Sequence, residues 1–157
     1  MISSYAIVEC HENIGSNSSV WHFTHIRSSA KVGNDTTIGS HCYIDKEVTI
    51  GDKCKIQNGC NIYHPAKIGN CVFIGPGAML INDKHPKATK ENGDRLTDDD
   101  WFCQGVVIED FANIGAGVII MPGVKIGHHS TIGAGSVVTK DIPSNTTYMG
   151  NPARSKE

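Results

Sequence analysis

One aliphatic residue recurs every six positions along this chain. It runs through Ile14, Val20, Ile26, Val32, Ile38, Ile44, Ile50, Ile56, Ile62, Ile68, Ile74 and Leu80, and then through Phe102, Ile108, Ile114, Ile120, Ile126, Ile132 and Val138. An amphipathic helix would repeat every three to four residues and a half-buried strand every two. A period of six fits short strands joined by tight corners, each sending one aliphatic side chain into a narrow shared core. Four residues after most aliphatics comes a small or slim side chain: Ser18, Thr24, Ala30, Thr36, Cys42, Val48, Cys54, Cys60, Ala66, Val72 and Ala78. Gly follows many aliphatics directly (Gly15, Gly33, Gly39, Gly51, Gly69, Gly75, Gly115, Gly127, Gly133), and is read as the corner residue that lets the backbone turn. The pattern predicts an all-β parallel solenoid whose stacked coils share one core.

The beat breaks once. Leu80 and Phe102 are not a multiple of six apart, so an excursion loop over residues 82–101 must leave the solenoid and return. A loop of that length inside a compact fold is a place to look for function. The family resemblance set out in the next paragraph implies three hexads to a coil, so that residues eighteen apart stack, which puts Asn82 over His64 at a strand spacing of about 4.8 Å. The same arithmetic stacks Ile81 on Tyr63, and gives the columns His25, Tyr43, Asn61, Met79 and His22, Ser40, Asn58, Pro76. His64, Asn82, Asp83 and His85 are thereby gathered where the coil opens. The acidic run Asp98–Asp100 reads as solvated loop surface or a helix cap, and Trp101 as an anchor for the loop.

The hexad of aliphatic, Gly, two variable residues and a small residue resembles the repeat of the left-handed β-helix acyltransferases. The left hand comes from that resemblance, because general chirality favours right-handed crossovers. The expected fold is a left-handed parallel β-helix of about six coils with a short C-terminal tail, one domain over residues 1–157. A narrower likeness rests on Val20–Ile26 (VWHFTHI), Lys55–Asn58 (KIQN), Ile62-Tyr63 and Val72–Ala88 (VFIGPGAMLINDKHPKA). These segments are similar to N-acetyltransferases acting on nucleotide-linked 3-amino sugars, enzymes of surface-polysaccharide and glycan precursor synthesis. His85 stands where that subgroup often has Tyr, and His64 where it often has an acid.

The resemblance implies a homotrimer with active sites between subunits, acetyl-CoA as co-substrate and a dTDP- or UDP-linked amino sugar as acceptor. Asn82 would hold the amine, with His85 or His64 taking the proton. Asp83, Lys84, Tyr63, His22, His25 and Asn58 would contact the sugar nucleotide. Ile132–Ile142 and Gly150–Arg154 (GNPAR) look like the coenzyme end of these enzymes. Gly115, Ala116, Gly133 and Ala134 would line the pantetheine arm, Lys140 and Arg154 would pair with phosphates, and Asn151 and Pro152 would shape the adenine end.

Composition narrows the alternatives. Net charge is −2 with 19% charged residues, which argues against a nucleic-acid partner. The start, MISSYAIVEC, lacks a basic region and a long apolar run, so a membrane span or secretory signal is not expected and a cytoplasmic location is. The six cysteines contain no CxxC pair and read as reduced thiols, three of them in the small inward column. A γ-carbonic-anhydrase-like protein needs three metal-binding His, and its pair spaced by five is missing, so no metal is expected. A non-enzymatic solenoid such as an ice-binding protein would carry flat Thr ladders. An O-acetyltransferase of the same fold, acting on a sugar hydroxyl, is the serious rival.

Overall fold

A computed structural model of the chain describes residues 1–156. Two-residue strands pair in parallel with partners one level away, and three such strands make a level. The first face stacks Ser19–Val20, Thr37–Ile38, Lys55–Ile56, Phe73–Ile74, Asn113–Ile114, Thr131–Ile132 and Thr147–Met149. The second stacks Ile7–Val8, His25–Ile26, Tyr43–Ile44, Asn61–Ile62, Met79–Leu80, Ile119–Ile120 and Val137–Val138. The third stacks Lys31–Val32, Thr49–Ile50, Lys67–Ile68, Val107–Ile108 and Lys125–Ile126. The register is the expected one, with His25 on Tyr43, Tyr43 on Asn61 and Asn61 on Met79.

The second face counts seven strands, so there are seven levels, and Thr147–Met149 begins an eighth. About six were expected. The extra level comes from the N-terminus, where Ile2 bridges Val20 and Val8 pairs with Ile26, carrying the beat back before Ile14. At the other end the tail is a hairpin: Arg154–Ser155 returns antiparallel onto Thr147–Met149 and blunts the last strand edge.

The core follows the beat. Seventeen of the nineteen grid residues are buried, Ile14 at the open end is half-buried, and Phe102 alone is expelled, 81% exposed. Phe102 corrects the expectation: it lies on the beat counted back from Ile108, yet the chain has not rejoined the wall there. The inward small column is also a hydrogen-bonding column. Thr24 Oγ1 donates to Gly39 O at 2.6 Å and accepts from Cys42 N at 3.0 Å; Thr36 does the same for Gly51 O and Cys54 N. These hydroxyls satisfy corner groups that would otherwise be buried without partners. The thiols of Cys42, Cys54 and Cys60 donate to Gln57, Gly69 and Gly75 carbonyls in the equivalent way.

The glycines hold a different job from the one expected. Gly75 does not have a positive φ; a Cβ there would stand 2.5 Å from Ala116 N on the next level. It is needed for close stacking of levels. The left-handed turn falls two residues later, at Gly77 (φ +70°) and at the matching non-glycines, among them Phe23, His41, Lys53 and Phe111.

Candidate active site

The chain leaves the wall at the edge between the second and third faces, after Asn82, and returns at Gln104. Gln104 N donates to Asn82 O at 2.9 Å, closing the neck of the loop, and Gly123 N on the next level donates to Gln104 O at 3.2 Å. Beyond the neck, Thr89 and Arg95 bridge a tight hairpin that turns at Gly93 (φ +88°). Asp98–Asp100 is one 3₁₀ turn. Asp100 accepts from Thr97 N and Oγ1 at 2.9 and 2.8 Å and from Lys90 Nζ at 2.7 Å, so Lys90 and Thr97 hold its carboxyl down at about 2. That gives the acidic run the capping part of its expected reading.

The folded-back loop encloses a cleft of about 880 Å³ against its own root. Its lining includes Asn82, Asp83, Lys84 and His85 from the root, with Lys90, Leu96, Trp101 and Gln104 from farther along the loop. Asn82 is half-buried, and its Nδ2 donates to His64 O at 2.6 Å. Its Oδ1 accepts no hydrogen bond among the described residues. Asp83 Oδ1 accepts from His85 N at 2.9 Å, which fixes the first turn of the loop and leaves the exposed His85 imidazole clear of the wall. Three of the expected residues therefore share this cleft with Asn82.

His64 meets Asn82 through its backbone only. Its ring turns to the level on its other side, with Nδ1 3.2 Å from Lys46 O and 3.2 Å from Glu47 Oε2, and it does not line the cleft. Tyr63, half-buried beside it, packs on Tyr43 at 5.8 Å between ring centroids. His25 lies farther down the second face, donating to Glu9 at 2.7 Å. His22 and Asn58 stand on another edge, between the first and second faces. There Asn58 Oδ1 caps Ser40 N at 2.9 Å, and His22 stacks on Tyr5 at 5.5 Å.

A second, smaller cleft of about 380 Å³ lies at the C-terminal end. Lys140 and Arg154 both line it, together with Thr139, Asp141, Tyr148 and Ala153. Asn151 and Pro152 are exposed in the turn of the terminal hairpin. Gly115, Ala116, Gly133 and Ala134 stack backbone to backbone on the edge between the first and second faces: a Cβ on Gly115 would stand 2.5 Å from Ala134 N. They do not line the Lys140–Arg154 cleft.

Two of the inward thiols, Cys54 and Cys60, are not placed for nucleophilic work. The Cys42 sulfur and burial together push the Cys60 thiol far up, and burial raises Cys54, so both stay protonated. Among the described residues no three His, Cys, Asp or Glu side chains gather as a metal site. Among the described residues no helix is long and apolar enough to cross a membrane.

Two residues at the site were missed in the sequence. Gln104 sits as far before Ile108 as Asn82 sits before the place where the next beat would have fallen, so counting back on the grid would have found the neck. Asp45, eighteen before Tyr63, accepts from His64 N at 3.2 Å and was visible as a stacked carboxylate.

Residues 13–46, 47–82 and 105–140 match the profile of the bacterial transferase hexapeptide family (six repeats). The chain belongs to this hexapeptide-repeat family. Its matched segments stop and resume at the two points where the loop leaves and rejoins the wall, and the solenoid is accordingly a left-handed parallel β-helix. Among curated proteins, a galactoside O-acetyltransferase of Lactococcus lactis is 41% identical over 91 residues, 57% of this chain and 41% of that protein. The chain thus spans about two-fifths of that relative's length. Among solved structures, the hexapeptide-repeat-containing acetyltransferase VCA0836 of Vibrio cholerae superposes over 92% of this chain and 72% of its own, with 29% identity and a TM-score of 0.60. The N-acyltransferase AntD of Bacillus cereus, solved with dTDP and 3-hydroxybutyryl-CoA, shares the fold over 99% of this chain and 78% of its own at 20% identity and a TM-score of 0.60.

Proposed function

We propose that this protein is an acetyltransferase that moves the acetyl group of acetyl-CoA to the amino group of a nucleotide-linked amino sugar, in glycan precursor synthesis. The observation that carries the reading is Asn82. Its Nδ2 is spent on His64 O, which fixes the amide plane, while its Oδ1 has no partner among the described residues, at a residue lining the cleft. An acceptor amine offers N–H donors and must present its lone pair to the thioester carbon. One N–H accepted by Asn82 Oδ1 orients that lone pair, and orientation removes a large share of the barrier to a two-substrate transfer.

Attack on the thioester puts charge on its oxygen, which backbone N–H groups at the loop root would stabilise. Nitrogen gains the carbonyl carbon, the carbon–sulfur bond breaks, and the ammonium proton leaves for a base. His85 carries an imidazole on the same cleft and suits the role of general base. Asp83 and Lys84 would hold the sugar.

For coenzyme A, Lys140 and Arg154 are two cations lining one cleft, suited to phosphates. The expected pantetheine wall at Gly115, Ala116, Gly133 and Ala134 lies on a different edge of the same chain. A second copy of the chain would supply the other wall, so a cyclic homotrimer with shared sites is part of the reading.

A second reading, transfer to a sugar hydroxyl, is favoured by the 41% identity to the galactoside O-acetyltransferase. The test is thiol release from acetyl-CoA across a panel of dTDP- and UDP-linked amino sugars and of simple galactosides. Release with an amino-sugar nucleotide alone supports the first reading. Release with galactosides alone, giving an alkali-labile ester product, replaces it with the second.

A further inference from the structure

A run of hydrogen-bonded and ion-paired side chains climbs the edge between the second and third faces and ends at the loop root. Glu9 pairs with Arg27 Nε at 3.0 Å, and Arg27 Nη1 donates to Tyr43 OH at 3.2 Å. Tyr43 OH donates to Asp45 Oδ1 at 3.2 Å, where Lys46 N also donates at 2.8 Å. Asp45 Oδ2 accepts from His64 N at 3.2 Å. His64 is then held at three points: its N–H by Asp45, its ring by Lys46 O and Glu47, and its carbonyl by Asn82 Nδ2 at 2.6 Å.

The same rung occurs elsewhere on this edge without a loop above it. Glu9 Oε2 accepts from Ser28 N at 2.8 Å, nineteen residues on, as Asp45 accepts from His64. Both carboxylates clamp a corner between levels. Only the Asp45 clamp fixes a residue whose carbonyl holds the candidate catalytic amide, so the two rungs separate a structural role from a directing one.

We infer that Asp45 is a positioning residue for acetyl transfer, acting through His64 to hold the Asn82 side-chain plane. The inference rests on the reading of Asn82 given above. An Asp45→Asn amide that keeps its oxygen on Tyr43 and Lys46 turns an NH₂ toward His64 N–H, donor against donor, in nearly the same volume. His64 must shift to relieve this, and Asn82 Nδ2 loses its 2.6 Å partner.

The experiment compares wild type, Asp45→Asn, Tyr43→Phe and Glu9→Gln by side-chain amide NMR, with the Asn82 signal identified by its loss in Asn82→Asp. The same four proteins are then assayed for thiol release with acetyl-CoA and the amino-sugar nucleotide that serves best in the panel. Asp45→Asn is expected to move the Asn82 amide protons to an ordinary exposed position and to lower kcat about tenfold at unchanged KM for acetyl-CoA. Tyr43→Phe should do both partially, and Glu9→Gln should do neither. An Asn82 signal in Asp45→Asn that coincides with wild type overturns the inference, as does an equal displacement in Glu9→Gln or an unaltered kcat beside a moved signal. If wild type releases thiol with no amino-sugar nucleotide, the acceptor reading fails by itself, and the amide signal still decides whether Asp45 directs Asn82.

Discussion

The solenoid wall and the loop at residues 83–104 solve opposite problems with neighbouring residues. In the wall every level repeats the last: an aliphatic and a small residue point inward, corner groups bond to the next level, and Ile56, Ile62, Ile74 and Leu80 are fully buried. In the loop no residue is buried, its hydrogen bonds apart from those of Gln104 at the neck stay within the loop, and many of its residues line one cleft. Repetition yields rigidity and gives each level the same corner. One interruption supplies a cleft, and the rigid wall beneath it supplies fixed partners such as His64. Asn82 stands at the boundary: its side chain is bonded to the wall, and the residue lines the cleft.

Breaking the wall should cost stability, while the same change in the loop should not. Ile62→Ala opens a void in a dry core and is expected to lose about 2–5 kcal/mol in denaturant unfolding. Phe102→Ala, on the beat counted back from Ile108 but outside the wall, should stay within about 0.5 kcal/mol. Asn82→Ala should reverse the pattern: turnover falls about a hundredfold, by the scale of removing one oriented polar group from a site, with coenzyme A affinity and melting temperature nearly kept. Equal loss of all three would mean that the wall had been damaged. A finer contrast separates two kinds of glycine. Gly75→Ala forces a Cβ to 2.5 Å from Ala116 N and should cost about 1–3 kcal/mol or more, since the obstacle is backbone. Gly77→Ala, in open space at φ +70°, should cost only the left-handed conformation, about 1 kcal/mol.

The smallest effect is a pH response confined to the loop. Lys90 and Thr97 lower the Asp100 carboxyl from 3.8 to about 2. A carboxyl lowered on folding stabilises fully above its unfolded value near 4, and that contribution is lost as pH falls through about 2. Trp101 fluorescence should therefore hold steady down to about pH 4 and change below it. In Asp100→Asn that change should be missing. A wild-type transition centred near neutral pH would contradict the assignment.

The wall could be read from the sequence because its cause is periodic: each aliphatic meets the same environment, so a register of eighteen predicts partners such as Tyr43 on Asn61. The glycine column shows the limit. Gly recurs on the beat, which suggested a turn requirement, but its cause is the distance to the level above, and a linear pattern cannot distinguish the two. Phe102 shows another limit. Arithmetic alone extended the second block one hexad too far, because nothing local to Phe102 says whether the chain has rejoined the wall. For the site, the stacking rule found Asn82 beside His64, yet not that the contact runs through a carbonyl while the imidazole faces Lys46 and Glu47. Gathering Asn82, Asp83 and His85 needed only adjacency in sequence. Bringing Lys90, Leu96 and Trp101 to the same cleft depended on the loop's hairpin and 3₁₀ turn, which belong to no repeat. Lys140 and Arg154 come to line one cleft through the terminal hairpin for the same reason.

The division of labour is tested most directly by removing the loop. Excising residues 83–104 joins Asn82 to Gly105 and returns Ile108 to the six-residue beat, so the wall can close without strain. The measurement is thiol release from acetyl-CoA by this shortened protein, with cooperative unfolding and coenzyme A binding recorded on the same preparation. The expected result is a folded solenoid that still binds coenzyme A and transfers nothing. Acetyl transfer at the wild-type rate by the loop-free protein would contradict the account.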